Sequence, residues 1–145
     1  MGAMKLRPVR IEDETRLRHE FQLETTGRNP FCHTLIAKFI GEYRTGAAGA
    51  PDAAFIVGMA RMAVEIWRPA AVVLDLSDLR YEWGDEMGWL LPPSLGRKSA
   101  VVVGPGCTRA IATLLWGVDT QRAATEAGFI FNSVEAAWES VRHRA

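Results

Sequence analysis

An α/β fold on a mixed sheet is what this chain predicts, and three observations predict it. Two strand-like segments, 17–25 and 34–43, stand close together near the start and read as a hairpin. A strongly amphipathic helical stretch, 51–67, leads directly into 71–76, whose unbroken apolar character suits a strand buried on both faces. Strand-like and helix-like segments then alternate to the C-terminus. The order is ββαβαβαβα: a mixed sheet of four to five strands with helices packed against it.

Each element has a local reason. Met1-Gly2-Ala3-Met4 reads as a cloning remnant over residues 1–3, with the native start at Met4. Residues 1–16 are expected to be an N-terminal segment and 17–145 one domain. Within the segment, 5–11 is a candidate edge strand, although Pro8 counts against it. In 17–25, Leu17, His19, Phe21, Leu23 and Thr25 fall on one side and Arg18, Glu20, Gln22 and Glu24 on the other. That is a half-buried strand with one wet face, and it places His19 on the apolar side as a core histidine. Gly27-Arg28-Asn29-Pro30 is a turn into the second strand. Ala47-Ala48-Gly49-Ala50 reads as a loose loop. Pro51 suits the first turn of a helix, and Asp52 complements the positive end of its dipole. Phe55, Ile56, Met59, Met62, Ala63, Ile66 and Trp67 recur at three- and four-residue spacing and form the expected core face, which Pro69 ends.

After Pro92-Pro93, a buried strand over 99–103 stops at Gly104-Pro105-Gly106. Residues 108–116 read as a helix, and Asp119 caps a further short helix to Ala127, with Gly128 as a left-handed terminator. A short strand at 129–131 precedes a capping box of Asn132 and Glu135. The final helix buries Val134, Ala137, Trp138 and Val141, and Arg142-His143-Arg144 suits its negative end.

Composition narrows the function classes. Seventeen basic and seventeen acidic residues cancel, so there is no electrostatic case for nucleic acid or an anionic membrane. No apolar run approaches the roughly 20 residues a bilayer span needs, and the start lacks a signal-peptide core. The expected location is the cytoplasm. Cys32 and Cys107 share no motif and read as reduced packing thiols.

The segment most able to carry function follows the strand at 71–76, where open α/β sheets place their sites. It runs Arg80-Tyr81-Glu82-Trp83-Gly84-Asp85-Glu86-Met87-Gly88-Trp89. Aromatics and methionine at Tyr81, Trp83, Met87 and Trp89 have the composition of an interface hot spot. Trp89 fits the core side of a short helix better, whereas Tyr81 and Trp83 suit core and interface equally. Glu82, Asp85 and Glu86 form an acidic cluster, which reads as solvated loop charge in the absence of a third ligand type at metal spacing. Gly104-Pro105-Gly106-Cys107-Thr108 lacks the full glycine fingerprint and a Walker lysine, so it is a plain connection. Cys32 and His33 are neighbours on extended chain and point apart, which argues against a nucleophile and its base. No cofactor, metal site or catalytic constellation is expected.

Several segments together resemble the STAS, or anti-sigma-factor-antagonist, family. Thr34-Leu35-Ile36-Ala37-Lys38-Phe39-Ile40-Gly41-Glu42-Tyr43 is similar to its early strand, which ends in a glycine–acid pair. Val72-Val73-Leu74-Asp75-Leu76-Ser77-Asp78-Leu79 is similar to its central strand, and Ala100-Val101-Val102-Val103-Gly104-Pro105 to a later one. Phe131-Asn132-Ser133-Val134-Glu135-Ala136-Ala137 looks like its closing strand-to-helix step. The resemblance covers roughly 21–141. It implies a STAS-like fold and a non-catalytic, signalling protein-binding domain of bacterial type, whose partner is an anti-sigma kinase or a signalling complex. Family members carry Asp-Ser-Ser-Gly after the central strand and are switched by phosphorylation there. Here those positions fall on Trp83, Gly84, Asp85 and Glu86, and none is a hydroxyl residue. The expected partner surface is therefore a fixed one: Tyr81, Glu82, Trp83, Gly84, Asp85, Glu86 and Met87, together with the turn at 41–46. The alternative reading is a lipid- or nucleotide-binding relative using an apolar cavity. An N-terminal edge strand also leaves a homodimer open.

Overall fold

The computed structural model describes residues 2–26, 29, 32–91 and 93–142, with the side chain of Trp89 excepted. β1 (Arg18–Glu24) and β2 (Thr34–Glu42) form the expected antiparallel hairpin, with Phe21 opposite Ala37. α2 (Ala50–Trp67) follows a one-turn α1 (Ile11–Glu14) in chain order and returns the chain to β3 (Ala71–Leu76), which lies parallel to β2. β4 (Leu79–Arg80) is a two-residue strand beside the far end of β2. β5 (Lys98–Val103), α3 (Thr108–Trp116), β6 (Ile130–Phe131) and α4 (Val134–Val141) complete the fold. The strand order is β1-β2-β3-β5-β6, with β4 branching from β2, so the sheet is mixed: one antiparallel pair and parallel pairs beyond it.

Alternation along the central strands decides which helix lies on which face. Leu74, Leu76, Val101 and Val103 point to the α2 and α3 side, where they meet Ala53, Ile56 and Ile111. Ala71, Val73, Ala100 and Val102 point the other way, onto Ala137 and Val141 of α4. β3 is buried at every position, as its continuous apolar run implies.

Several elements differ from expectation. Residues 5–10 are exposed coil and pair with no strand among the described residues, in keeping with the donor that Pro8 lacks, and Ile11 begins a helical turn. The loop expected at 47–50 is a tight 3-10 turn, Gly46–Gly49, that feeds directly into α2. His19 is exposed rather than core; it lies against Phe21 and Phe55 at centroid distances of 5.0 and 5.8 Å. Met62, Ile66 and Trp67, expected in the core, are 43%, 59% and 43% exposed. The apolar arc of α2 is wider than the sheet beneath it can cover. The helix expected from Asp119 to Ala127 is reduced to the 3-10 turn Ala124–Glu126, and Gly128 is not left-handed; Gly117, at φ 106°, ends α3 instead. Ser133 replaces Asn132 as the cap of α4, its hydroxyl accepting from the Ala136 N–H at 3.2 Å. Of the expected turn at 27–30 only Asn29 is described, and His143 and Arg144 also lie outside the described residues.

The stretch 46–67 is, contrary to expectation, long and apolar enough to cross a membrane by composition, at a mean hydropathy of 1.2. Here it serves as the core helix. Ala53, Ile56, Ala60 and Ala63 are buried, and Asp52 in its first turn carries a fixed ion pair.

That ion pair ties three distant segments together. Asp52 is 1% exposed. Its carboxylate accepts from the Thr15 hydroxyl at 2.6 Å, from the Arg44 backbone N–H at 2.8 Å, and from the Arg44 guanidinium at 3.0 and 3.1 Å. The same guanidinium donates to the Glu14 carbonyl at 2.6 Å. Burial alone would raise the carboxyl pKa; the hydrogen bonds from Arg44 and Thr15 outweigh it and hold Asp52 below the usual carboxylate range. A carboxyl held low in the folded state contributes stability above its unfolded pKa, and that contribution fades as pH falls through the folded value. Asp52→Ala should cost about 3 kcal/mol near neutrality, by leaving buried donors unpaired. Thr15→Val should cost about 1 kcal/mol. Urea unfolding of both variants checks the order. The gap between wild type and Asp52→Ala should narrow on acidification below about pH 4.

Candidate functional site

The parallel strands β2, β3 and β5 all end on one side of the molecule, and their loops build the candidate surface. β3 ends at Leu76, and the Asp75 carboxylate accepts from the N–H of Ser77, the first residue beyond it, at 2.9 Å. The chain then steps sideways and pairs with the continuation of β2. Leu79 opposite Gly41 begins this second pairing, the Tyr43 N–H donates to the Arg80 carbonyl at 2.8 Å, and the Gly46 N–H donates to the Trp83 carbonyl at 3.2 Å. On the opposite side, the Tyr81 N–H donates to the Gly106 carbonyl at 3.0 Å. The segment 79–84 is thus held between the end of β2 and the loop after β5.

This framework divides the expected site residues into buried and exposed, in alternation from Leu79 to Glu82 and out of step from Trp83 onward. Leu79 and Tyr81 point inward. The Tyr81 ring stands edge-on to Tyr43 at 5.0 Å, and its hydroxyl donates to the Gly84 carbonyl at 2.6 Å, closing the loop on itself. Burial, reinforced by the charges of Asp85 and Glu86, pushes the Tyr81 phenol up to about 12. Gly84 is buried and Met87 is fully buried on the 3-10 helix Asp85–Leu90. Glu82, Trp83 and Asp85 point out, and Glu86 is half-exposed. The seven residues are therefore close in space but have two jobs. Tyr81, Gly84 and Met87 hold the loop; Glu82, Trp83, Asp85 and Glu86 present side chains to solvent.

Trp83 is 62% exposed yet firmly seated. The end of its ring packs against Gly46, where a Cβ would sit 2.6 Å from the Trp83 Cη2 atom. Gly46 has φ +63°, a left-handed conformation that favours glycine, and a side chain there would push the indole aside. The turn at 41–46 and the 80–89 loop, expected to share a surface, are in contact here.

Two clefts flank Trp83's loop and share Arg80 and Glu82. The larger, about 660 Å³, is lined by six carboxylate residues and three arginines, including Glu12, Glu42, Asp52, Arg16 and Arg44. The smaller, about 510 Å³, lies over Ser77, Asp78, Pro105 and Gly106. Arg80 and Glu82 pair at 3.7 Å with both side chains more than half exposed, so the bond is weak and easily exchanged for a partner. Nearby, Lys38 on β2 pairs with Asp78 at 2.7 Å, a contact that raises the lysine pKa. The larger cleft and the loop thus present an acidic surface around one exposed indole.

Sequence reasoning missed Thr15, Arg44 and Asp52, which wall the larger cleft. Asp52 looked like a dipole partner, and Thr15, 37 residues away, carries no local sign of its role. It also missed the shelf at Gly46. Cys107, expected as a packing thiol, is buried and donates to the Leu76 carbonyl at 3.3 Å, and burial raises its pKa. Cys32 is half-buried and unpaired by any disulfide. No protein-family model matches the chain, and no curated protein matches it in sequence.

The loop after β5 is as constrained as the shelf. A Cβ on Gly104 would collide with the Ser77 carbonyl oxygen, a backbone atom that cannot swing aside. Gly104→Ala should destabilise by about 2 kcal/mol or more. Gly58, on the exposed side of α2 with nothing within 4 Å of its would-be Cβ, is the internal control. Gly58→Ala should stabilise by about 0.5–1 kcal/mol through helix propensity alone. Denaturant midpoints of the two variants, moving in opposite directions from wild type, check both.

Proposed function

We propose that this chain is a non-catalytic, STAS-like protein-binding domain that works in the cytoplasm and meets its partner through Glu82, Trp83, Asp85 and Glu86. The observation that carries the reading is the seated tryptophan. The indole is 62% exposed, packs against Gly46 and is ringed by charge, which is the composition of an interface anchor. Carboxylates at Glu82, Asp85 and Glu86 surround it, so the complementary surface is an apolar pocket rimmed by basic residues. The mixed α/β sheet and the position of this loop after the central strand are consistent with the family resemblance. In that family, such surfaces meet an anti-sigma kinase or a component of a larger signalling complex.

A carboxylate at Asp85 stands where the family carries its switchable hydroxyl. The charge there is permanent and smaller than that of a phosphate. On this reading the surface is constitutively competent rather than switched.

Affinity capture from extracts of the source cell with wild type, Trp83→Ala and Asp85→Lys tests the assignment. Trp83→Ala should weaken a captured partner's affinity about thirtyfold, the loss typical of a buried aromatic anchor. Asp85→Lys should weaken it by a smaller factor and reduce its salt dependence. All three proteins should keep the same circular dichroism. Equal capture of the same protein by folded wild type and both variants would reject this surface.

A further inference from the structure

A second surface lies along the β1 edge of the sheet, beside α2. β1 is the terminal strand of the sheet, and no described residue pairs with its outer edge. Beside it, α2 leaves Met62, Ile66 and Trp67 43%, 59% and 43% exposed. The two exposures are continuous: the Trp67 ring stands 5.6 Å from Phe21 on β1, and Phe55 stands 5.8 Å from His19. An open strand edge flanked by an apolar helix stripe is a template for another strand.

The sequence of β1 says which strand. If two copies pair antiparallel about a two-fold axis through Phe21, Arg18 lies opposite Glu24 of the second copy, and Glu24 lies opposite its Arg18. Glu20 meets Gln22, His19 meets Leu23, and Phe21 meets itself. No like charges oppose one another, and both ends of the seven-residue strand close with an ion pair. On the α2 side, each Phe21 ring contributes to a shared apolar floor. β2 and its symmetry mate would stand three strand spacings apart, about 14 Å, leaving a channel for the Met62 and Ile66 side chains of both copies. The arrangement is isologous and therefore closed.

We propose that this chain forms a two-fold homodimer by antiparallel pairing of β1 with β1 of a second copy, centred on Phe21 and sealed by Met62 and Ile66 of α2. Pairing leaves Trp83 and its acidic rim free, so a dimer offers two copies of that surface.

Sedimentation velocity of the full chain at micromolar concentration tests the proposal with three variants. Wild type should sediment as a dimer. Ile66→Lys, on an exposed position that the fold tolerates, should be a monomer with unchanged circular dichroism. Arg18→Glu places like charges at both ends and should raise the dissociation constant about tenfold. Arg18→Glu combined with Glu24→Arg should restore the dimer, because the swapped charges pair again only in this register. A wild-type monomer throughout overturns the proposal, as does a dimer that persists in Ile66→Lys. A dimer in which the single and double charge variants behave alike overturns the register. A monomer that dimerises only after residues 2–9 are removed assigns the patch to Met4, Leu6 and Val9 of the chain's own N-terminal segment, and overturns the proposal as well.

Discussion

Asp52 is buried, charged and bonded at once to Thr15 and Arg44, joining three parts of the chain that the sheet alone would leave independent. Thr15 stands before β1, Arg44 stands just beyond β2, and Asp52 itself opens α2. A carboxylate in this position stabilises only while its partners stay in place, since an unpaired buried charge is far more costly than a paired one. The direction of the chain as it leaves β2 is therefore set here. That direction places Gly46, Gly46 forms the shelf, and the shelf holds Trp83. An ionic contact in the framework thus lies two residues from the glycine against which a surface aromatic packs.

The same loop is gripped from its other side by close backbone approach. Gly104 lies against the Ser77 carbonyl, and the Gly106 carbonyl accepts from Tyr81. Hydrogen bonds to neighbours on both sides make 79–84 an extension of the sheet rather than a free loop. Rigid binding segments lose little entropy on association, and this one has the supports that rigidity requires.

Local pattern carried much of the fold. The alternation of residues 17–25 identified the hairpin, and the unbroken apolar run of β3 identified the central strand. Periodicity also found α2, but it could not tell which apolar positions the sheet would reach; Ile66 and Met62 carry the same helical signal as Ile56 and end in water. Capping was legible only to within one residue, because Asn132 and Ser133 both offer a capping oxygen and backbone geometry chose between them. In the candidate site, the sequence identified the right segment but not the division of labour within it. Tyr81 and Trp83 are both aromatic and two apart, which on a regular strand would give them one face; the strand alternation breaks at Trp83, so one is 2% and the other 62% exposed.

The thiol of Cys107 closes the C-terminal end of the sheet, bonded to the Leu76 carbonyl and shielded from solvent. Cys32 sits at the opposite end, before β2, and is half-buried. Reagent that reaches Cys107 must wait for the Gly104–Cys107 turn to lift away from β3, whereas Cys32 requires a smaller movement. The two sulfurs thus form a built-in clock for the molecule: the lag between their alkylation measures how often the end that carries Trp83 opens while the rest of the fold stays shut.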